Sequence, residues 1–579
     1  MTEARDSAST GSTTQQWSYT SGTSSVPLLG LTIGDQFDQT VSRYPDNPAL
    51  ISRHQNIRLT YRELQALVNQ CAKGLLHLGI QKGQRVGIWA PNRAEWCITQ
   101  FATAKLGVIL VNINPSYRLH ELEYALAQSG CSALVTAAQF KSSDYTGMLY
   151  ELAPELRECE PGHLKAAKLP ELTTVIRLSS EKVPGMYSWD EIMAMDYHVS
   201  DETLAAHQRE QQFDDQINIQ YTSGTTGFPK GATLSHHNIL NNGYFVARLQ
   251  NLTHHDRMCI PVPLYHCFGM VMGNLGCITH GATMIYPADG FDPLAVLQTV
   301  QEEQCTALYG VPTMFIAELE HPDFQQFNLS SLRTGVMAGS PCPTEVMKRV
   351  VSQMNMGEVE ICYGMTETSP VSTQTRIDAP LEKRVSTVGI IHPHLEIKIV
   401  NPANGHIVPL NTPGELCTRG YSVMLGYWNN PAATGSAIDN ARWMHTGDLA
   451  TMDSEGYINI VGRIKDMVIR GGENVYPREI EEFLYTHPKI SDVQVIGVPD
   501  PKYGEEIAAW VKLKAGEQAT AEEIRDYCQG KIAHYKIPRY VLFVESFPMT
   551  VTGKIQKFLM RQQSIKDLGL EGAASIETA

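Results

Sequence analysis

The chain has 579 residues, which is too long for one hydrophobic core and predicts roughly two to four domains. Its formal net charge of -15 argues against broad binding to nucleic acid or to anionic membranes, so any anion site has to be a local positive pocket. The 12 cysteines include no C-x-x-C pair, which suggests neither a zinc site nor a redox dithiol and favours reduced thiols in a cytoplasmic protein.

The N-terminal segment is polar and rich in serine and threonine. It lacks the apolar core of a secretory signal and predicts a disordered tail over residues 1–27, although a serine-rich start leaves a transit peptide open. No run of about 18 apolar residues predicts a membrane span. The nearest approach, from Phe268 to Tyr286, contains Asn274 and His280 and is interpreted as buried helix and strand.

Helical and strand patterns alternate after this tail. Thr60 and Glu63 have the spacing of a capping box, and an apolar periodicity typical of a helix follows them. Short apolar strands follow at residues 86–89 and 108–111, with a helical stretch between them. The same rhythm recurs at residues 284–286, 307–309 and 336–338. This order predicts an α/β fold whose parallel sheets are covered on both faces.

The pattern changes from about residue 391. Residues 395–400 alternate like a half-exposed strand, and turn signals such as Thr412-Pro413-Gly414 predict a small antiparallel β subdomain. Past Arg463, a helix beginning at Pro477 and a mixture of strands and further helix predict a separate α+β domain. We therefore predict a large domain over residues 28–464 and a small C-terminal domain over residues 465–579.

The most informative segment runs from Tyr221 to Gly231. Glycine lets backbone N–H groups approach phosphate oxygens, short hydroxyls add donors, and Lys230 adds a positive charge. A short strand precedes the loop and a helix cap at Ser235 follows it, which predicts a phosphate cradle. A flexible linker needs no lysine, and in a P-loop the lysine directly follows a glycine. The predicted anion-binding residues are Thr222, Ser223, Gly224, Thr225, Thr226, Gly227 and Lys230.

Four further clusters carry groups that a nucleotide needs. Tyr363-Gly364-Met365-Thr366-Glu367 offers an aromatic face for adenine, a hydroxyl for a phosphate oxygen and a carboxylate suited to Mg²⁺. His445-Thr446-Gly447-Asp448 places a carboxylate in a turn, as a sugar diol needs. A charged, glycine-rich stretch at residues 462–477 suits a hinge, and Thr552-Gly553-Lys554-Ile555 carries an isolated lysine. Taken singly, each cluster is also explained by a turn or a solvated side chain.

In this order and spacing, the five clusters resemble the adenylate-forming superfamily of acyl-CoA synthetases, firefly luciferases and nonribosomal-peptide adenylation domains. The resemblance extends from about Leu31 to Lys557, and residues 222–227 and 231–236 look most like the medium- and long-chain fatty acyl-CoA synthetases. It implies a large N-terminal domain with βαβ-type sheets and a small β subdomain, followed by a small, mobile α+β C-terminal domain.

The resemblance also implies which residues bind ATP. The loop from Thr222 to Lys230 would hold the β- and γ-phosphates, and Glu367 would hold Mg²⁺. Thr366 would contact the α-phosphate, and Asp448 and Arg463 would bind the ribose. The adenine would lie between two segments, Gly339-Ser340-Pro341 and Tyr363-Gly364-Met365.

The implied reaction joins a carboxylic acid to coenzyme A in two steps. Attack of the acid on the α-phosphorus gives an acyl-adenylate and pyrophosphate, and a thiol then displaces AMP. Lys554, Thr366 and Mg²⁺ would stabilise the charge on the phosphoryl oxygens during the first step. Lys554 would serve that step only, so the small domain would rotate about Lys465 and bring Gly471 and Gly472 to the site.

His266 matches an aromatic position beside the acyl site, although a core histidine is an equal expectation. Two alternatives within the superfamily are an aryl- or branched-acid ligase and an enzyme that loads a carrier protein. A non-catalytic nucleotide-binding protein is the alternative from another class, and Lys554, Glu367 and Asp448 argue against it. The acyl chain length and the oligomeric state, with a homodimer as one option, stay open.

Overall fold

The computed structural model describes residues 16–222, 229–471, 473–550 and 554–574. Most of its strands lie in two large sheets, a small antiparallel sheet and a C-terminal sheet. In these residues we find no helix that is long and apolar enough to cross a bilayer. The stretch from Phe268 to Tyr286 forms a π-helix, Phe268–Leu275, followed by helix Gly276–His280 and strand Thr283–Tyr286, which confirms its interpretation as helix and strand.

An eight-stranded sheet occupies the first part of the large domain. Its strands are parallel from the first to Gln216–Thr222 and antiparallel beyond it. Strands Ile109–Asn112 and Ala133–Thr136 are buried along their whole length, as expected of a sheet with helices on both faces. In spatial order the strands are Tyr187–Ser188, Thr174–Arg177, Ala133–Thr136, Arg85–Trp89, Ile109–Asn112, Gln216–Thr222, Lys230–Ser235 and Gly426–Tyr427.

A nine-stranded sheet forms the second half of this domain. Its strands from Glu358–Gly364 to Pro48–Ser52 are parallel, and antiparallel strands close both edges. The predicted βαβ rhythm is therefore confirmed in both sheets. In spatial order the strands are Ile390–Ile391, Val371–Gln374, Glu358–Gly364, Thr334–Ala338, Ala307–Gly310, Arg257–Cys259, Thr283–Tyr286, Pro48–Ser52 and Ile57–Thr60.

Helices pack on both sheets, and their ends follow local sequence signals. Thr60 accepts a hydrogen bond from the Glu63 N–H while the Glu63 side chain accepts one from the Thr60 N–H, which is the predicted capping box. The longer helices of the large domain are Ile33–Arg43, Tyr61–His77, Ala94–Leu106, Leu119–Ser129, Tyr145–Leu152, Asp201–Arg209, His236–Leu249, Pro293–Glu303, Pro312–Leu319 and Thr344–Gln353.

The small β subdomain is a five-stranded antiparallel sheet, as predicted from residue 391 onward. Its strands are Tyr19–Ser21, Leu395–Val400, Gly414–Gly420, Met444–Met452 and Ile458–Arg463. The first of these strands corrects the predicted disordered tail over residues 1–27, of which residues 1–15 lie outside the described part. Trp17 to Ser21 pair with the edge of the sheet through backbone hydrogen bonds, which polar side chains do not prevent.

The C-terminal region has its own mixed α+β structure and its own apolar clusters, separate from those of the preceding sheets. Strand Gly504–Leu513 pairs on one side with Ile490–Asp500, and Val468–Arg470 joins it to Glu473–Val475. Tyr540–Phe543 adds a parallel strand. The helices of this region are Pro477–Leu484, Ala521–Cys528, Lys557–Asp567 and Glu571–Ala574. The boundary at residue 465 stays a prediction.

Candidate active site

The glycine-rich loop joins two antiparallel strands. Ser223, Gly224, Thr225, Thr226 and Gly227 lie outside the described residues, but both ends of the loop are defined. Thr222 pairs with Lys230, and the Thr222 hydroxyl donates to the Lys230 carbonyl at 3.3 Å. Strand Lys230–Ser235, which the sequence did not predict, follows the loop and takes a place in the eight-stranded sheet. The helix begins at His236 with Ser235 as its cap, as predicted.

The segment predicted to hold adenine, phosphate and metal leaves the end of strand Glu358–Gly364. Thr366 and Glu367 lie in a short 3₁₀ turn, and both are buried. The Met424 N–H donates to the Glu367 carbonyl at 2.9 Å, and the Tyr427 hydroxyl donates to Glu367 Oε1 at 2.8 Å. These two hydrogen bonds, one to the backbone and one to the side chain, therefore hold the buried Glu367 in one orientation.

Asp448 lies in strand Met444–Met452, directly opposite Arg463 in the neighbouring strand. Its Oδ1 forms an ion pair with Arg463 Nε at 3.0 Å, and its Oδ2 accepts from the Tyr363 hydroxyl at 2.8 Å. Gly447, at a φ of +70°, precedes it in the same strand, which corrects the predicted turn, and its N–H donates to Glu415 Oε1 at 3.1 Å. The predicted adenine-binding tyrosine and the predicted ribose-binding carboxylate are thus one hydrogen-bonded unit.

The second predicted adenine segment follows the neighbouring parallel strand. Strand Thr334–Ala338 pairs with Glu358–Gly364, so Gly339 and Tyr363 leave adjacent strands at the same sheet edge. Gly339 has a φ of +93°, a conformation that favours glycine. Ser340 is half-buried, whereas Gly339 and Pro341 are exposed, as a surface that receives a flat ring would be.

Lys554 brings the C-terminal region into this site. Burial and the positive charge of Arg463 lower the pKa of the Lys554 ammonium, while the carboxylates of Glu367 and Asp448 oppose that shift. Its amine therefore lies within electrostatic reach of the predicted metal and ribose ligands. The Lys554 N–H donates to the Thr550 hydroxyl at 3.1 Å, which ties this lysine to its own turn.

His266 lies within electrostatic reach of Lys554, two residues before the π-helix Phe268–Leu275. Burial, followed by the charge of Lys554, lowers the pKa of its imidazole to about 3. Its Nδ1 accepts from the Phe268 N–H at 3.2 Å, so the ring is held as a neutral group. π-Helices occur often at functional sites. A role for His266 beside the acyl group stays a prediction.

The predicted hinge residues lie at the start of the C-terminal region. Lys465 lies at the surface, and partial burial together with the charge of Arg463 lowers the pKa of its amine. Gly471 has a φ of +59°. Its N–H donates to the Tyr503 carbonyl at 2.8 Å, which is a contact within the C-terminal region. Gly472 lies outside the described residues.

Two side chains of helix Pro477–Leu484 join the C-terminal region to the rest of the molecule in this arrangement. Arg478 donates to the Ile460 carbonyl at 3.1 Å. Glu482 accepts the Thr344 N–H at 3.4 Å, at the start of the helix that follows the predicted adenine segment. These contacts accompany the insertion of Lys554 and hold the C-terminal region against the site.

Sequence reasoning missed Tyr427, which contacts both the predicted metal ligand and the predicted phosphate lysine. Its hydroxyl bonds Glu367, and the Lys230 amine lies 5.2 Å from the centre of its ring. The only signal was a tyrosine in the turn-rich segment Gly426-Tyr427-Trp428-Asn429-Asn430. Such a segment is read as a surface loop unless its partners are known.

Two profiles of known protein families match this chain. The profile described as AMP-binding enzyme matches residues 37–428, and the one described as AMP-binding enzyme C-terminal domain matches residues 479–554. The chain is 52% identical to YngI of Bacillus subtilis (strain 168), a relative that is named as an acyl-CoA synthetase. The match covers 94% of this chain and 99% of the relative.

Two further comparisons cover nearly the whole chain. The chain is 48% identical, over 96% of its length and 91% of the relative's, to the mitochondrial medium-chain acyl-CoA ligase ACSF2 of Danio rerio. It is similar to the crystal structure of the anthranilate CoA ligase AuaEII in complex with anthranoyl-AMP, with a TM-score of 0.82 and 26% identity. That match covers 94% of this chain and 99% of the other.

Proposed function

Since the chain belongs to the family of AMP-binding enzymes, we propose that it is an ATP-dependent acyl-CoA ligase whose acid is a medium-chain fatty acid. The reaction passes through an acyl-adenylate and releases pyrophosphate and then AMP. The observation that carries the proposal is Lys554, a lysine of the C-terminal region whose amine lies within electrostatic reach of Glu367, Asp448 and Arg463.

The residues of the candidate active site fit the first step, which activates the carboxylic acid because its carboxylate is a poor electrophile. A carboxylate attacks the α-phosphorus, and negative charge grows on the phosphoryl oxygens. We assign to Lys554 the neutralisation of this charge and the orientation of the attacking acid. Thr366, buried beside Glu367, would add a hydroxyl donor to the same phosphate. Tyr363 and Asp448 would hold the adenosine in place during the attack.

Glu367 fits a hard divalent cation such as Mg²⁺. It is a buried carboxylate, and its Oε1 is held by Tyr427. Its Oε2 accepts no hydrogen bond from the described residues and is available as an oxygen ligand. When bound, the cation would neutralise phosphate charge. Lys230, at the far end of the same site, would hold the terminal phosphates.

The second step needs room for the thiol of coenzyme A. Lys554 occupies the site in the present arrangement, so we propose that the C-terminal region rotates about Lys465 to remove it. The contacts of Arg478 and Glu482 would then break, and they are few enough for such a motion. Gly471 and Gly472 would approach the adenylate in the rotated state.

A fatty acid is favoured over an aromatic acid because the relatives named for medium-chain acids are far more similar to this chain. The ACSF2 enzymes are 46–48% identical to it, whereas the anthranilate ligase is 26% identical. Several of these relatives are named as mitochondrial, so a cytoplasmic location stays a prediction.

The test is the formation of AMP and acyl-CoA across acids from acetate to long-chain and aromatic types. We expect AMP, pyrophosphate and acyl-CoA in equal amounts, with the highest kcat/KM for medium-chain acids. A preference for benzoate or anthranilate would overturn the assigned acid. Adenylate formation without turnover of free coenzyme A would indicate a carrier-loading enzyme, and release of phosphate without any acid would indicate an ATPase.

Gly364→Ala should impair adenylation without unfolding the protein. A Cβ at this position would lie 1.8 Å from the Pro370 carbonyl oxygen, so the backbone has to move. That movement displaces the turn that carries Thr366 and Glu367. We expect a loss of about 10²-fold in acid-dependent ATP–pyrophosphate exchange, because a shift of about 1 Å is enough to misplace reacting groups.

Gly435→Ala is the matched control, since a Cβ there meets no atom within 4 Å. Its exchange rate and its melting temperature should equal those of the unaltered protein. Thermal unfolding followed by circular dichroism checks that the Gly364 variant is still folded. Normal exchange by a folded Gly364→Ala protein would contradict the assigned role of the turn.

A further inference from the structure

Tyr427 lies at the edge of the eight-stranded sheet, next to the strand that begins at Lys230. Strand Gly426–Tyr427 pairs antiparallel with Lys230–Ser235. Backbone hydrogen bonds fix this register on either side of the tyrosine: the Leu425 N–H donates to the Thr233 carbonyl at 3.0 Å and the Trp428 N–H to the Gly231 carbonyl at 2.7 Å. The position of Tyr427 along the Lys230 strand is therefore set by the sheet.

The backbone of Tyr427 is also held from the opposite side. Its N–H donates to the Thr434 hydroxyl at 2.9 Å, at the middle of helix Pro431–Ala437. Gly426, at a φ of +152°, passes close to the same threonine, and a Cβ there would lie 2.9 Å from Thr434 Cγ2. Strand and helix together leave the tyrosine little freedom to shift.

The side chain of Tyr427 contacts two groups of opposite charge. Its hydroxyl donates to Glu367 Oε1 at 2.8 Å, and the Lys230 amine lies 5.2 Å from the ring centre. The first contact is a charge-assisted hydrogen bond, and the second has the geometry of a cation–π interaction.

Tyr427 is thus the one described side chain that contacts both the proposed metal ligand and the proposed phosphate lysine. We propose that Tyr427 is a positioning residue: its hydroxyl orients Glu367 toward the divalent cation, and its ring holds Lys230 at the distance that the terminal phosphates need. This inference rests on the proposed function, because it assigns the ligands of these two residues.

The two contacts can be removed separately. Tyr427→Phe loses the hydrogen bond to Glu367 and keeps the ring under Lys230, whereas Tyr427→Leu loses both. Tyr19→Phe is the matched control, because the Tyr19 hydroxyl also donates to a glutamate, Glu396, at 2.8 Å, in the five-stranded sheet. Melting temperatures of all three proteins show whether any loss is merely one of folding.

The test measures binding rather than turnover. Mn²⁺ replaces Mg²⁺, and its affinity for the enzyme–ATP complex is measured by electron paramagnetic resonance. ATP affinity without metal is measured by calorimetry. For Tyr427→Phe we expect about 10-fold weaker Mn²⁺ binding, from the loss of one hydrogen bond to a charged group, and unchanged metal-free ATP affinity. Tyr427→Leu should in addition bind metal-free ATP about 2- to 5-fold more weakly.

Two outcomes would overturn the inference. One is a folded Tyr427→Phe protein that binds Mn²⁺ as tightly as Tyr19→Phe does. The other is a Tyr427→Leu protein whose metal-free ATP affinity is unchanged. Failure of the proposed function looks different, because the unaltered protein would then bind ATP and Mn²⁺ without forming AMP from any acid.

Discussion

Lys554→Ala is expected to slow acid-dependent ATP–pyrophosphate exchange by about 10²–10³-fold, because the site loses an oriented cation where charge develops. The amine lies within electrostatic reach of Glu367, Asp448 and Arg463, and its pKa is lowered by burial. An ammonium ion in such a place interacts more strongly with a phosphate than an exposed one does. The alanine leaves the nucleotide ligands of the large domain in place, so ATP affinity should change little.

The same variant should convert a supplied acyl-adenylate and coenzyme A to the thioester at a nearly normal rate. Thioester formation from the purified adenylate measures this second step alone. Lys566→Ala, which removes an exposed lysine of helix Lys557–Asp567 shortly after Lys554, is the control for both assays. Equal losses in the two half-reactions would contradict the hypothesis that Lys554 leaves the site before the thiol enters.

Much of this fold can be predicted from local sequence because the signals are local. The capping box at Thr60 and the helix cap at Ser235 each depend on residues within one turn, and both are present. The buried strands of the two large sheets are also local signals, because each is a short run of apolar residues. The prediction of a nucleotide site came from the order and spacing of the five clusters along the chain, which is also a property of the sequence itself.

The contacts that organise the site could not be predicted in the same way, since they join distant parts of the chain. Tyr363 and Asp448 are 85 residues apart, and Glu367 and Tyr427 are 60 apart. The sequence shows an aromatic residue and a carboxylate in each case, but not that they meet. Strand Tyr19–Ser21 was missed because its stability comes from an exposed sheet edge rather than from apolar side chains.

Asp448→Ala should reduce both half-reactions, in contrast to Lys554→Ala. We propose that its carboxylate holds the ribose, which is present in ATP and in the acyl-adenylate alike. Its removal also leaves the Tyr363 hydroxyl and Arg463 without their acceptor. Truncation of a buried charged partner costs more than one ordinary hydrogen bond. We expect about 10²–10³-fold lower kcat/KM for ATP, and a similar loss in thioester formation from low concentrations of adenylate.

Two further variants, Asp448→Asn and Glu396→Ala, show whether the loss comes from weaker nucleotide binding or from damage to the five-stranded sheet. The asparagine can still accept the Tyr363 hydroxyl but lacks the charge that pairs with Arg463, so its loss should be about 10-fold. Glu396 accepts Tyr19 and Arg419 in the same five-stranded sheet, which makes its alanine variant a chemical match away from the nucleotide. If Glu396→Ala lowers kcat/KM as much as Asp448→Ala, the effect comes from the sheet. If only Asp448→Ala lowers both half-reactions, the carboxylate acts on the nucleotide that they share.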